Sequence, residues 1–166
     1  MSNLNFDNGI TVNLANAAAV AGTTSTLTTT VTTAGLINGE FVTPVTALTN
    51  SASPTTDANS GAAFIALQPN QCCALVYGQN KAGTIKLAQG PIIATLPGVT
   101  TTVGGMFDAP QFPPLPDDFL PLAYTIVQTA PSASAWTPGS GSWNASGVSA
   151  TTFQNVGQLP KRPQVA

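Results

Sequence analysis

The chain has 166 residues, of which 4 are Lys or Arg, 6 are Asp or Glu and none is His. Charged residues make up 6% of the sequence, whereas soluble domains average about 25%. So few charged groups argue against acid–base catalysis, metal or cofactor binding, and contact with nucleic-acid phosphates. We therefore expect no enzyme, no cofactor and no nucleic-acid partner. The 43% of hydrophobic residues is enough for a buried core.

The sequence also predicts the cellular setting of the chain. No apolar run approaches the roughly 20 residues that a membrane-spanning helix needs. The first residues, Met1 to Asp7, lack a basic region followed by an apolar core, so they are not typical of a secretory signal. We expect a chain that is made in the cytoplasm and has no membrane partner.

The first 35 residues predict an N-terminal strand and a Thr-rich arm. Residues 10–14 alternate apolar and polar side chains after an Asn-Gly pair, which favours a strand. The Ala-rich residues 16–21 are typical of one helical turn, which the following glycine would end. The Thr tract at residues 23–33 has good strand propensity but little to bury. It is expected to form an extended edge strand or an arm that lies on a neighbouring subunit.

Residues 36–95 predict a central β meander. Asn38 and Gly39 supply the two positive φ angles of a type I′ turn and predict a hairpin. Turn signals rich in Pro, Asn and Gly separate the later apolar runs. Strands are expected at residues 62–67, 72–79, 84–88 and 91–94.

Residues 96–122 form a connector that contains six prolines. Such a segment runs extended or turning, and we expect it to pack through Phe107, Phe112 and Phe119. The C-terminal unit, residues 123–166, is predicted to contain strands at 122–129 and 148–156 and a proline-stiffened tail. Together these features predict an all-β fold, a small antiparallel sandwich or barrel with an extended N-terminal arm and a Pro-rich connector. The four segments form either separate units or one composite domain.

Trp136 and Trp143 lie seven residues apart across a Gly/Ser turn. Two indoles on a loop are one way to build a glycan contact, because sugar rings stack on aromatic faces. Large aromatic side chains are more often buried. We therefore favour core packing and keep the glycan contact as the alternative.

The adjacent cysteines Cys72 and Cys73 would point to opposite faces of a strand, so they are poorly placed to pair with each other. Two small hydrophobic side chains, at least one of them in the core, are the favoured interpretation. An interchain disulfide is the alternative.

Asp117-Asp118 and Lys161-Arg162 are the only paired charges in the sequence. The acidic pair follows a proline, where a turn or capping role is typical, and adjacent carboxylates rarely converge on one bond as glycosidase chemistry requires. The basic pair is either a solvated tail or an intersubunit contact with Asp117 or Asp118 of a neighbouring subunit. An exposed contact of this kind is worth only ~0–1 kcal/mol.

Two segments resemble structural proteins of tailed-phage particles. Residues 112–163 combine the proline-rich lead FPPLP, the strand PLAYTIV, a Trp loop with the turn SWNASGV, and the terminal LPKRP. Residues 53–90 contain TTDA leading into AAFIAL and the meander VYGQNKAGTIK. The Cys72-Cys73 pair departs from the pattern.

This resemblance implies a minor virion protein, either a capsid decoration (cement) protein or a head-fibre-type protein. It implies a homotrimer that binds the major capsid protein on the virion surface after synthesis in the host cytoplasm. No catalytic residues come with the resemblance. The alternative function is a glycan- or receptor-binding module of a tail fibre or adhesin that uses Trp136 and Trp143.

Overall fold

The computed structural model of the chain describes residues 9–164. This part of the chain is all β, as predicted, and its named strands pair antiparallel. Nowhere in residues 9–164 does the fold contain a helix with the length and hydropathy to cross a membrane. The strands are β1 (Val12–Asn13), β2 (Ala19–Ala21), β3 (Leu27–Thr29), β4 (Gly35–Ile37), β5 (Glu40–Phe41), β6 (Leu48–Ser51), β7 (Gln71–Gln79), β8 (Ile85–Gln89), β9 (Ile93–Ala94), β10 (Leu120–Thr129), β11 (Val148–Ala150) and β12 (Gln154–Asn155).

A six-stranded sheet forms the centre of the molecule. Its main path is β11-β10-β7-β8, and β12 and β9 pair with β10 and β7. The two long strands β7 and β10 run side by side from Leu120 opposite Gln79 to Gln128 opposite Cys72. Both strands are buried along nearly their whole length. Their almost continuous apolar sequences therefore reflect a sheet that is covered on both faces.

One face of the central sheet packs against the Thr-rich sheet β2-β3-β6 and against the C-terminal loops. Cys73, Leu75 and Tyr77 of β7 point into this layer, because alternate residues of a strand share a face. The two layers give the small β-sandwich that the sequence predicted. The other buried members of this core come from the N-terminal, central and C-terminal segments of the chain: Ala19, Leu27, Phe64, Leu67, Leu87, Ala123, Val127, Trp136, Trp143 and Phe153.

The opposite face of the central sheet is covered by the Pro-rich connector and the C-terminal tail. Phe112 of the connector meets Tyr124 of β10 edge to face, with ring centroids 5.0 Å apart. Phe119 is also buried, whereas Phe107 is 63% exposed. The connector therefore packs through Phe112 and Phe119 as predicted, and the prediction for Phe107 is wrong. In the tail, Gln164 donates its N–H to the Tyr124 hydroxyl over 3.0 Å.

The Ala-rich stretch forms strand β2 instead of the predicted helical turn. The N–H of Ala19 donates to Oδ1 of Asn155 at 2.7 Å. The carbonyl of Ala19 accepts the side-chain N–H of Asn155 at 3.3 Å. β2 also pairs with β3 from Ala19 opposite Thr29 to Ala21 opposite Leu27. Partners from distant parts of the chain thus override the weak local preference for helix.

The Thr tract folds within its own chain. Its strand β3 lies between β2 and β6, so the prediction of an edge strand is wrong for this segment. Contact of the tract with a neighbouring subunit stays a prediction. Trp143 fixes the start of the tract by donating its Nε1–H to the carbonyl of Thr26 over 3.0 Å. The first eight residues of the predicted N-terminal arm lie outside the described residues.

Two further strand predictions need correction. Residues 62–67 form no regular strand and make only single bridges, from Ala63 to Thr56 and from Leu67 to Trp136. The segment 148–156 divides into β11 and β12, because Thr151 interrupts the ladder with its hydroxyl, which accepts the N–H of Ile126 at 2.9 Å. The predicted strands at 72–79, 84–88, 91–94 and 122–129 are confirmed as β7, β8, β9 and β10 with small shifts of their ends.

Candidate functional site

The small sheet β1-β4-β5 carries a row of apolar side chains that points to solvent. Val12 lies opposite Leu36 and Leu36 lies opposite Phe41, so these three residues share one side of the sheet. Ile10 and Leu14 alternate with Val12 along the chain and project from the same side. Phe41 is 80% exposed, Leu14 58% and Ile10 55%, whereas Val12 and Leu36 between them are half-buried. We call these five residues, Ile10, Val12, Leu14, Leu36 and Phe41, the apolar face.

The other side of the same sheet is buried, and this burial fixes which residues face outward. Ile37 and Val42 pack with Ala17 and with Leu120 and Leu122 of β10. A shift by one residue would exchange the two sides and expose Ile37. The apolar face is therefore a consequence of the register that the core imposes.

The tight turn between β4 and β5 forms as predicted. Asn38 and Gly39 have φ angles of 52° and 80°, the left-handed values that a type I′ turn needs. Because a two-residue turn makes Ile37 and Glu40 the hydrogen-bonded pair, the N–H and C=O of Phe41 point away from β4. The outer edge of β5 thus presents backbone groups beside an exposed phenyl ring.

No charged residue belongs to the apolar face. Glu40 precedes Phe41 and points to the opposite side of β5, where its carboxylate pairs with the Lys81 ammonium at 2.7 Å. The hydrogen bond and the positive charge of Lys81 lower the pKa of Glu40. Both side chains are exposed, with 41% and 71% of their areas accessible for Lys81 and Glu40, so this pair adds little to stability.

A second group of exposed apolar side chains lies on the loop after β9. Leu96, Val99 and Phe107 are 45%, 77% and 63% exposed. Met106 and Phe107 also line an open depression of about 440 Å³, with Gln128 of β10 at its edge. This loop belongs to the Pro-rich connector.

Trp136 and Trp143, the candidates for a glycan contact, are buried. Their exposed fractions are 2% and 8%, and their ring centroids lie 5.4 Å apart. Their Nε1–H groups donate to the carbonyls of Ser142 and Thr26 at 2.9 and 3.0 Å. Neither indole offers a free face for a sugar ring, so the glycan contact through these residues is wrong and the predicted core packing is confirmed.

The predicted charge contact takes a different form within the chain. Asp118 accepts the backbone N–H of Lys81 at 2.8 Å, whereas Asp117, Lys161 and Arg162 are exposed. Among residues 9–164 the ion pair is that of Lys81 with Glu40. The contact of Lys161 and Arg162 with Asp117 or Asp118 of a neighbouring subunit stays a prediction.

Cys72 and Cys73 are free thiols, and both are fully buried on β7, as expected for small hydrophobic side chains. Burial raises the pKa of Cys72 to about 11 and that of Cys73 to about 12. Both thiols are therefore protonated and poorly nucleophilic at neutral pH. Across the described part of the chain, no group of three or more His, Cys, Asp and Glu side chains is placed to hold a metal ion.

An open groove of about 780 Å³ runs between the loop at residues 57–68 and the end of β8. Its polar groups bind each other. Asp57 accepts the N–H of Gln89 at 3.0 Å, and the side-chain amide of Gln89 pairs with the backbone of Ile65. Two of its polar side chains, Asp57 and Gln89, are thus engaged in contacts within the chain.

Comparisons with protein-family models, with curated proteins and with solved structures find no match for this chain.

Sequence reasoning did not identify the apolar face, although its signal was present. The alternation of Ile10, Val12 and Leu14 and the Asn38-Gly39 hairpin both pointed to a sheet with one apolar side. The sequence analysis predicted the strand and the hairpin but did not say which of their sides is buried. The structure shows that Ile37 and Val42 occupy the core and leave the alternating residues outside.

Proposed function

We propose that this chain is a structural virion protein of a tailed phage that decorates the assembled capsid. In this proposal a homotrimer binds the major capsid protein and stabilises the shell. The observation that carries it is the apolar face, an uncharged row of large side chains on a sheet whose other side is buried. The low charge of the chain and the resemblance of its central and C-terminal segments to phage virion proteins support the same assignment.

The apolar face is suited to a protein surface as its partner. Contiguous exposed apolar residues rimmed by polar ones usually mark sites of association, and here Thr11 and Asn38 border the row. Because the face carries no charge, its burial requires no desolvation of an ion. Complete burial of a Phe or Leu side chain contributes about 1.5–3 kcal/mol, so a few such contacts per subunit support specific attachment.

The stabilising effect on the shell follows from mass action. A protein that binds the assembled shell and not its free subunits lowers the free energy of the assembled state by an amount that grows with the logarithm of its concentration. A trimer multiplies this effect, since binding of one subunit raises the effective concentration of the other two. A decoration protein therefore needs only modest affinity per subunit.

A co-sedimentation assay on purified capsids that lack the protein tests the proposal. We expect the wild-type chain to sediment with shells, and the variant Phe41→Ser to bind about tenfold more weakly, since the loss of much of one apolar side chain from the contact costs ~1.4 kcal/mol. Ile65→Ser is the matched control, because Ile65 is 69% exposed but lies outside the apolar face. Equal binding of the two variants, or no binding of the wild type, would contradict the proposal.

Oligomeric state and salt dependence provide a second test. Three copies of the 16.7 kDa chain give about 50 kDa by light scattering, and an isolated monomer would remove the trimer from the proposal. Attachment should change little from low to physiological salt, because few charges take part.

The double variant Lys161→Ala/Arg162→Ala shows whether the tail contributes, since unchanged trimer dissociation would exclude the predicted intersubunit contact.

A further inference from the structure

The start of the described chain covers the β4–β5 turn. The N–H of Gly39 donates to the carbonyl of Ile10 at 3.0 Å, and the N–H of Asn38 donates to the hydroxyl of Thr11 at 3.2 Å. Gly9 lies against the peptide that joins Asn38 to Gly39. A Cβ atom at Gly9 would be 2.0 Å from the carbonyl carbon of Asn38 and 2.4 Å from the nitrogen of Gly39. Both free amides of the turn are thus bound and shielded by the segment 9–11.

This arrangement matters because an Asn followed by Gly has a specific chemistry. Base removes the proton from the Gly39 amide, and the nitrogen then attacks Cγ of Asn38. A new C–N bond closes a succinimide ring, and the side-chain nitrogen leaves as ammonia. Water then opens the ring by breaking one of its two C–N bonds, which gives aspartate or isoaspartate. One water is consumed and one ammonia is released, with no change in oxidation state.

From these contacts we infer that Asn38 is a modification site, a spontaneous deamidation site whose reactivity is controlled by docking of the segment 9–11. While the segment is docked, the Gly39 N–H that must be lost is held by the Ile10 carbonyl, and Gly9 blocks movement of the peptide. When the segment opens locally, the turn becomes an exposed and flexible Asn-Gly pair. The rate therefore reports the fraction of molecules in which this segment is open.

Deamidation would change the surface beside the apolar face. It places a carboxylate two residues before Glu40, on a sheet whose outward row is uncharged. Isoaspartate also adds one atom to the main chain of a two-residue turn, which shifts the pairing of Leu36 with Phe41. This inference concerns the chemistry of the turn and stands independently of the proposed function.

Peptide mapping by mass spectrometry during incubation at mildly alkaline pH tests the inference. We expect Asn38 of the native protein to deamidate at least about tenfold more slowly than Asn38 of the urea-unfolded chain. Thr11→Val removes one acceptor and should accelerate the native reaction roughly fivefold, as for the loss of one hydrogen bond. Gly9→Ala should accelerate it further, because the added Cβ cannot fit over the turn.

Matched controls separate docking from general destabilisation. Gly105→Ala adds a Cβ that meets only the Leu96 side chain at 3.5 Å, and Thr46→Val changes an exposed threonine elsewhere. Both should keep the wild-type rate, and circular dichroism should show a folded protein for each variant. The inference is overturned if native Asn38 reacts at the unfolded rate, or if Thr11→Val and Gly9→Ala, both folded, react no faster than the wild type.

Discussion

At the level of single residues, two buried thiols and one buried phenol on β7 make the stability of the fold depend on pH in the alkaline range. Burial raises the pKa of Cys72 to about 11, of Cys73 to about 12 and of Tyr77 to about 12, from ordinary values of 9.0 for the thiols and 10.0 for the phenol. The Ser53 hydroxyl, 2.9 Å from that of Tyr77, partly opposes the shift. All three groups retain their protons in the folded state at a pH where the unfolded chain loses them.

The sign of the effect follows from this difference. Since the folded pKa values are raised, the stabilisation is fully present below pH 9 and is lost as the pH rises towards 11 and 12. We expect the free energy of unfolding to fall between pH 8 and pH 10 by about 1.3 kcal/mol for each thiol. Urea unfolding followed by Trp fluorescence measures this slope.

The double variant Cys72→Ala/Cys73→Ala should show a smaller slope than the wild type. Val127→Ala is the matched control, because it shortens a side chain of the same core without removing a titrating group. It should lower stability at every pH and keep the slope. Identical slopes for the Cys variant and the wild type would show that the thiols do not titrate differently in the two states.

Some single residues were predictable from the sequence because their reason is local. The positive φ angles of Asn38 and Gly39 follow from turn chemistry alone. The exposure of Phe41 was not predictable, because it depends on Leu120 and Leu122, some eighty positions later in the chain, filling the other side of the sheet. A hydrophobic residue in a strand does not by itself indicate which side the core will take.

At the level of elements, the Thr-rich strand β3 depends on a tryptophan from the far end of the chain. Trp143 donates its indole N–H to Thr26 and its backbone N–H to Thr24, at 3.0 and 2.9 Å. The side chain of Leu27 is the main apolar contribution of β3 to the core. We therefore expect the order of the Thr tract to depend strongly on Trp143.

The variant Trp143→Phe should loosen β3 selectively. It keeps an aromatic ring in the core but removes one of the two donors to the carbonyl of Thr26, which also accepts the N–H of Gly22 at 2.9 Å. We expect amide hydrogen exchange in β3 to accelerate about tenfold relative to that of β7, since a lost hydrogen bond and a small cavity act together. Hydrogen exchange read by NMR provides the ratio.

Trp136→Phe is the control for this prediction. Its indole N–H donates to Ser142 within the same loop, so its loss leaves the Thr tract untouched. The control should lower global stability without changing the ratio of exchange in β3 to that in β7. If both variants raise the ratio equally, the effect comes from the shared aromatic core and not from the bond to Thr26.

The elements that the sequence predicted well are those that bury both faces. β7 and β10 have long apolar runs whose identity as strands does not depend on a particular neighbour. β2 was predicted as a helical turn because its alanines favour helix locally, and the side chain of Asn155 decides otherwise. Residues 62–67 have strand composition but lie where the backbone pairs only at single positions, Ala63 and Leu67.

At the scale of the whole molecule, stability rests on apolar packing and neutral hydrogen bonds. Three core clusters cover the two faces of the central sheet and the inner side of the β1-β4-β5 sheet. The described ion pair of Lys81 with Glu40 is exposed. Histidine is absent from the sequence, so no imidazole changes its charge between pH 5 and pH 8.

This composition predicts a broad plateau of stability. The pKa of Glu40 is lowered by its hydrogen bond and charge contact with Lys81. For Asp57, burial raises the pKa, but hydrogen bonds from Gln89, Ser60 and Asn59 together lower it. Because folding lowers the pKa of both carboxyl groups, their charged forms stabilise the folded state above the ordinary pKa values of about 4. That contribution to the free energy of unfolding is lost as the pH falls below these values. The alkaline loss begins only near pH 9.

We therefore expect the free energy of unfolding to stay constant from about pH 5 to pH 8, and to change little between low salt and ~0.5 M salt. Urea titrations across this grid measure both dependences. Asp57→Asn should reduce the acid slope, because the amide does not take up a proton as the carboxylate does. The amide keeps an acceptor for Gln89 but replaces the oxygen that accepts from Ser60. A slope within the plateau, or a large salt effect, would mean that charged contacts contribute to stability in this pH range.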